Sequence, residues 1–137
     1  MKLTPHFSLH EFERSAVAER YGIKNVAPTT AVENLTALCR YVLEPAREKY
    51  GKPIIVHSGY RCKELNKRVG GVATSQHMSG MAADLTYSKE LFEILAKIKH
   101  DQLILESAGG VTWIHVSFNP FVGRNRNQTF GYSQKSS

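Results

Sequence analysis

The chain has 137 residues, 42% hydrophobic and 22% charged, which suits one domain with a real core and argues against disorder. Its formal charge of +6 is spread out. No recognition helix or aromatic–basic module accompanies that charge, so nucleic acid is not an expected partner, whereas any anionic polymer, a bacterial cell wall included, stays open. No apolar run approaches the roughly 20 residues that span a bilayer. Met1-Lys2-Leu3-Thr4-Pro5-His6 lacks the apolar core of a secretory signal, so synthesis in the cytoplasm and a non-classical route outward are expected. Cys39 and Cys62 form no C-x-x-C pattern and read as buried free thiols.

In chain order, Ser8-Leu9-His10-Glu11 has the form of a capping box and predicts a short helix from Leu9 to Arg14, continuing brokenly to Arg20. Asn25 to Thr30, with Pro28, is a connection. Thr30-Ala31-Val32-Glu33 repeats the capping signature and opens the longest helix, with Leu35, Leu38, Cys39, Val42 and Ala46 as its apolar stripe. Pro45 should kink or divide that helix, and Gly51-Lys52-Pro53 ends it. Ile54-Ile55-Val56 reads as a buried strand that delivers Ser58-Gly59-Tyr60-Arg61 to a loop. A helical turn or two follows from Lys63 to Val69, stopped by Gly70-Gly71. Ala82 to Tyr87 is a short strand, and Ser88 caps a helix over Lys89 to about Lys99. Gln102 to Glu106 and Val111 to Phe118 are strands joined through Ala108-Gly109-Gly110, a hairpin. From Asn119 the chain is polar, and about 124–137 is expected to be a loose tail. The whole reads as one domain, 1–137.

The stretch Ser75-Gln76-His77-Met78-Ser79-Gly80-Met81-Ala82-Ala83-Asp84 carries the chemistry. A loop bearing His77 that turns at Gly80 into a strand bearing Asp84 can bring imidazole and carboxylate onto one divalent metal. His115, in the alternating Trp113-Ile114-His115-Val116, completes a set of three that leaves a fourth position open, as catalytic zinc sites do. Strand alternation puts Ala82, Asp84 and Thr86 on one face. It does the same for Trp113, His115 and Ser117, and for Gln102, Ile104 and Glu106. If the three strands are neighbours, Asp84, His115 and Glu106 open onto one side. Taken singly, each residue has an ordinary reading: a hydrogen-bonded histidine, a solvated carboxylate, a surface ion pair for Arg61, a turn for Ser75. His6, His10, His57 and His100 are assigned to structure or surface, with His57 held open because it lies close in sequence to Arg61.

Ser-x-His-x-x-Gly-x-Ala-x-Asp, met by Ser75, His77, Gly80, Ala82 and Asp84, resembles the signature of the zinc D-alanyl-D-alanine carboxypeptidase and L-alanyl-D-glutamate peptidase family of cell-wall peptidases. Ser58-Gly59-Tyr60-Arg61 and Trp113-Ile114-His115-Val116 are similar to that family's other motifs, in the same order. Phe7-Ser8-Leu9-His10-Glu11-Phe12 and Gly123-Arg124-Asn125-Arg126 resemble a phage and prophage branch. The resemblance implies His77, Asp84 and His115 as ligands of one zinc ion. It also implies Arg61 acting on the substrate's carbonyl or carboxylate, with Ser75 and Tyr60 beside it in substrate binding. Many relatives carry an acidic base three residues before the last histidine, where this chain has Thr112. The branch resembled has a Glu in the preceding strand, and Gln102-Leu103-Ile104-Leu105-Glu106 supplies Glu106 as the candidate general base.

The expected fold is therefore α+β, a small antiparallel sheet of three or four strands with helices packed against it, of the hedgehog/DD-peptidase kind. The expected activity is zinc-dependent hydrolysis of a peptidoglycan peptide bond by an endolysin-like, monomeric enzyme that reaches the wall after lysis-type release. The alternatives are a non-catalytic peptidoglycan-binding module and a phage structural module that keep the fold. The bond cut stays open between D-Ala-D-Ala, L-Ala-D-Glu and a cross-link.

Overall fold

The computed structural model describes residues 1–121 and 123–133. A small hairpin of β1 (Lys2–Thr4) and β2 (Phe7–Ser8) leads into α1 (Leu9–Glu13) and α2 (Ala16–Arg20). The capping box forms as its pattern requires, with Ser8 N–H donating to Glu11 at 2.8 Å. The β1–β2 hairpin has no counterpart among the sequence expectations, because strands of three and two residues are too short to show periodicity.

The longest helix, α3 (Thr29–Leu38), starts one residue before the Thr30 signature, with Pro28 at its N-cap and no side-chain cap bond. The Thr30 capping box is thus corrected. Pro28, with its backbone extended, already ends the preceding connection, and both threonines fall inside the first turn. Pro45 neither ends nor sharply divides the helix. It lacks the N–H that would bond residue 41, and the preceding turn, Cys39–Leu43, widens to π geometry, with Glu44 N–H bonding Cys39 O. The helix resumes as α4 (Glu44–Tyr50) and stops at Gly51 in the left-handed region, φ 70°.

Then come β3 (Val56–Ser58), α5 (Lys63–Arg68), a 3₁₀ turn (Gln76–Ser79), β4 (Ala82–Thr86), α6 (Lys89–Ala96), β5 (Gln102–Ala108), β6 (Val111–Ser117) and β7 (Gln128–Ser133). The strand expected at Ile54–Val56 is displaced to Val56–Ser58. Ile55 contributes only its carbonyl, which accepts from Thr86 N–H, and the ladder to β4 begins at Val56. The β5–β6 turn is the two residues Gly109 and Gly110, both at positive φ (58° and 80°), which suits the right-handed twist of a tight hairpin.

The five-stranded sheet runs β3-β4-β6-β5-β7. Its first four strands are antiparallel, while β7 pairs parallel to β5. The expected α+β class, a small sheet with helices packed against it, holds; only the count of three or four strands is corrected, to five, the fifth being β7, which lies within the stretch 124–137. Asp101 holds the approach to β7. This buried carboxylate accepts the Arg126 N–H and Nε at 2.9 Å and Nη2 at 2.7 Å, and its carbonyl accepts Gln128 N–H at 3.0 Å. Residues 134–137 lie outside the described residues.

One face of the sheet, with Leu85, Ile114, Val116 and Leu103, packs on Leu35 and Leu38 of α3, Ala46 of α4 and Leu91 and Leu95 of α6 in one core. Cys39 is buried in it; Cys62, expected to be buried too, is only half-buried and packs against it, and both are free thiols. The opposite face carries the polar residues considered next.

Candidate metal centre

Sheet register assembles this site. Asp84 pairs with His115, and His115 with Ile104; one step along the same face, Thr86 pairs with Trp113 and Trp113 with Glu106. The alternation expected for the three strands therefore holds, and Asp84, His115 and Glu106 share one face. His77 arrives from the 3₁₀ turn, where Ser75 Oγ accepts the His77 N–H at 3.2 Å and Gly80, φ 76°, turns the chain into β4.

His77, Asp84 and His115 each offer one ligand atom, and the three atoms lie within 4.8 Å of one another. Asp84 Oδ1 stands 3.3 Å from His77 Nε2 and 3.1 Å from His115 Nδ1. His77 Nδ1 donates to the Gly59 carbonyl at 2.7 Å, which fixes the tautomer and leaves Nε2 with its lone pair. Nε2 is buried without a hydrogen-bond partner. A lone pair facing a carboxylate oxygen inside a protein is costly unless a proton or a cation lies between them. Two imidazoles and a carboxylate are the donors that suit zinc, so these residues fit a divalent ion. Burial works to raise the Asp84 pKa, but the neighbouring imidazoles of His77 and His115 outweigh it and hold the carboxyl well below the usual range.

Glu106 is buried to 1% exposure. Its Oε1 accepts from Trp113 Nε1 at 3.2 Å and lies 3.9 Å from His115 Nδ1. Thr112 alternates to the opposite face, opposite Ser107, and so points away from the three ligand atoms. Arg61 is also buried, with Nη2 3.7 Å from Asp84 Oδ2, Nη1 donating to Asn66 Oδ1 at 3.0 Å and Nε to Ser58 Oγ at 3.2 Å. Burial pulls its pKa down, opposed by the negative charges of Asp84 and Glu106. A cleft of about 350 Å³ opens beside Asp84 and Arg61, with Tyr60, Ser58 and His57 in its wall. His57 is exposed and bonds Thr86 Oγ1, while His100 is buried and held between Ile98 O and Thr129 Oγ1.

The structure thus brings together His77, Asp84, His115, Glu106 and Arg61, and puts Tyr60 in the adjoining wall. Ser75 is placed under the His77 turn as its cap. Gly59, inside the Ser58–Arg61 motif, was given no role of its own, and Asn25 and Asn66 belong to no motif and were missed. Gly59 supplies the carbonyl for His77 and Asn66 the brace for Arg61. Asn25 donates to Glu13 O and Tyr60 O and accepts from Cys62 N–H, which holds the Tyr60–Arg61 loop against α1. No sequence signal points to Asn25 or to Asn66 in α5, because both act through contacts that only the fold creates.

Comparison with known proteins gives the family. A zinc D-Ala-D-Ala carboxypeptidase of Streptomyces albus G is 35% identical over 85 residues, which is 61% of this chain and 33% of the relative. The chain thus covers about a third of the length of that curated relative. The family model described as peptidase M15 matches residues 5–117, a stretch that contains every residue of the cluster and ends with β6. With most of its length and its whole candidate site inside that match, the chain belongs to the peptidase M15 family.

Proposed function

We propose that this chain is a zinc-dependent peptidase that hydrolyses a peptide bond in bacterial peptidoglycan, in a stem peptide or a cross-link. Family membership and the named relative support the reaction and substrate class. The observation that carries the metal reading is His77 Nε2, buried, without a hydrogen-bond partner and facing Asp84. On this reading His77, Asp84 and His115 hold one zinc ion. Bound there, zinc would supply Lewis-acid polarisation of the scissile carbonyl and a lowered pKa for the attacking water.

The chain's own residues do the rest. Glu106 takes the proton of the attacking water and returns it to the leaving amine, work for which a buried carboxylate beside His115 is suited. Arg61, braced by Asn66 and Ser58, presents a fixed positive charge to the oxyanion or to a terminal carboxylate. Tyr60 lines the substrate cleft, and Ser75 acts through the turn that aims His77. The opening and tail motifs support a phage-type, endolysin-like setting, in which a monomer reaches the wall after lysis-type release. No helix among the described residues is long and apolar enough to cross a membrane.

The non-catalytic alternative draws on the missing acid at Thr112. Thr112 lies on the other face of the sheet while Glu106 stands beside His115, which favours the enzyme. Purified peptidoglycan incubated with the protein should release peptide or amino acid, stop doing so in chelator, and resume when zinc is added. Undiminished hydrolysis in chelator would overturn the zinc reading. Wall binding without any hydrolysis would return the binding module.

A further inference from the structure

Beyond Asp84 and Arg61 the cleft continues. Two further hollows, of about 390 and 250 Å³, adjoin it, and all three share Arg14 and Ser15 in their walls. The result is a groove that starts at the candidate metal centre, passes His57 and Arg14, and ends near His10 between α1, α2 and the outer edge of β3.

Arg14 is held in this groove by the backbone of the two residues before it. The Phe12 carbonyl, two residues before, accepts Tyr60 N–H at 2.7 Å, and the Glu13 carbonyl accepts from Asn25 at 2.8 Å. One guanidinium nitrogen, Nη2, donates to Val56 O at 3.2 Å. Arg14 is exposed and has no acidic partner among the described residues, unlike Arg61 with Asp84 or Arg126 with Asp101. Of the nearby carboxylates, Glu11 closes the capping box on Ser8 and Glu13 accepts the Ala27 N–H, while Glu19 lines the two outer hollows but not the inner one, so the anion subsite belongs to the inner hollow. In the inner hollow the charged lining is Arg14, Arg61 and Asp84, and Asp84 faces the two histidines. The inner hollow thus offers an exposed cation positioned by one bond to the backbone, beside Arg61.

We propose that this groove is an extended substrate subsite in which Arg14 binds a carboxylate of an acidic peptide whose scissile bond lies at Asp84 and Arg61. The inference rests on the peptidase reading for the direction of the peptide, but the anion subsite itself can be measured by binding alone. Arg14 contacts substrate at a distance from the reacting atoms and sets specificity. A guanidinium pairs with a carboxylate through two parallel bonds, so a free carboxylate should bind better than its amide.

The probes are two synthetic stem peptides that differ in one group, one with D-glutamate and one with its α-amide, D-isoglutamine. Affinity is read by calorimetry on the zinc-loaded Glu106→Gln protein, which keeps the peptide uncut, and on the same protein carrying Arg14→Ala. The carboxylate peptide should bind about tenfold more tightly than the amide, a preference that weakens with added salt. Arg14→Ala should cut that preference to less than twofold, and Arg14→Lys should restore part of it. Equal affinity for the two peptides, no binding of either, or an unchanged preference in Arg14→Ala would each overturn the subsite. A wild-type protein that cleaves neither peptide while still preferring the carboxylate would sink the peptidase reading and leave the anion subsite standing.

Discussion

Gly59→Ala tests whether the fold and the metal centre share one joint. A Cβ built on Gly59 would lie 2.6 Å from Phe12 Cβ and 2.7 Å from Phe12 Cα and Cδ1. Ordinary carbon contacts begin near 3.4 Å, so about 0.8 Å of room must be opened. Phe12 cannot easily supply it: the ring is fully buried and its carbonyl holds Tyr60 N–H at 2.7 Å. Overpacking against backbone belongs at the upper end of the usual range, about 2–3 kcal/mol, which for a chain of this size lowers Tm by about 6–12 °C. Gly59 also supplies the carbonyl that orients His77, at 2.7 Å. Losing such a partner typically weakens metal binding by about 10–100-fold. Thermal unfolding and competition of zinc against a calibrated chelator read the two effects separately. A Gly59→Ala protein with wild-type Tm and zinc affinity would refute the claim that this one residue serves both.

Three other outcomes follow from the same geometry. His115→Ala removes one of three ligands, so protein purified without added metal should hold less than half the wild-type zinc by elemental analysis; retention of more than half argues against the ligand set. Glu106→Gln can keep the acceptor for Trp113 Nε1 and should retain zinc and fold while turnover drops by roughly two to four orders of magnitude. Thr112→Ala, on the far face, should keep most activity, and wild-type-like hydrolysis by Glu106→Gln would make exposed His57 the next base to test. Asp101 concerns pH. Its hydrogen bonds to Arg126, opposed by burial, hold the carboxyl down at about 2 against an ordinary 3.8. A depressed carboxyl stabilises the fold above the ordinary value, and that contribution fades as pH falls from about 4 to 2. Arg126 is half exposed, so the share is about 1–2 kcal/mol. Asp101→Asn should lack that acid-dependent component in denaturant titrations, and parallel curves for the two proteins would exclude it.

Much of this protein is determined locally. The Ser8–Glu11 capping box, the α6 cap at Ser88 and the Gly109-Gly110 hairpin depend on groups within a few residues of one another, so the sequence alone predicts them. Period-two alternation likewise assigned Asp84, His115 and Glu106 to matching faces, because side chains in a strand must alternate whatever lies beside it. Tertiary structure decided what no local rule contains. The pairing of β4 with β6 and β6 with β5 turned three matching faces into one site. The Thr30 capping signature lost to Pro28, and the Ile54–Val56 run slid to Val56–Ser58, because ladder partners on β4 set where pairing begins. The tail became a fifth strand through Asp101, a lone acid in sequence that only the fold brings to Arg126 and Gln76. Gly59 is the sharpest case. Its missing Cβ matters only because Phe12 occupies that space, and its carbonyl only because His77, 18 residues on, turns back to meet it.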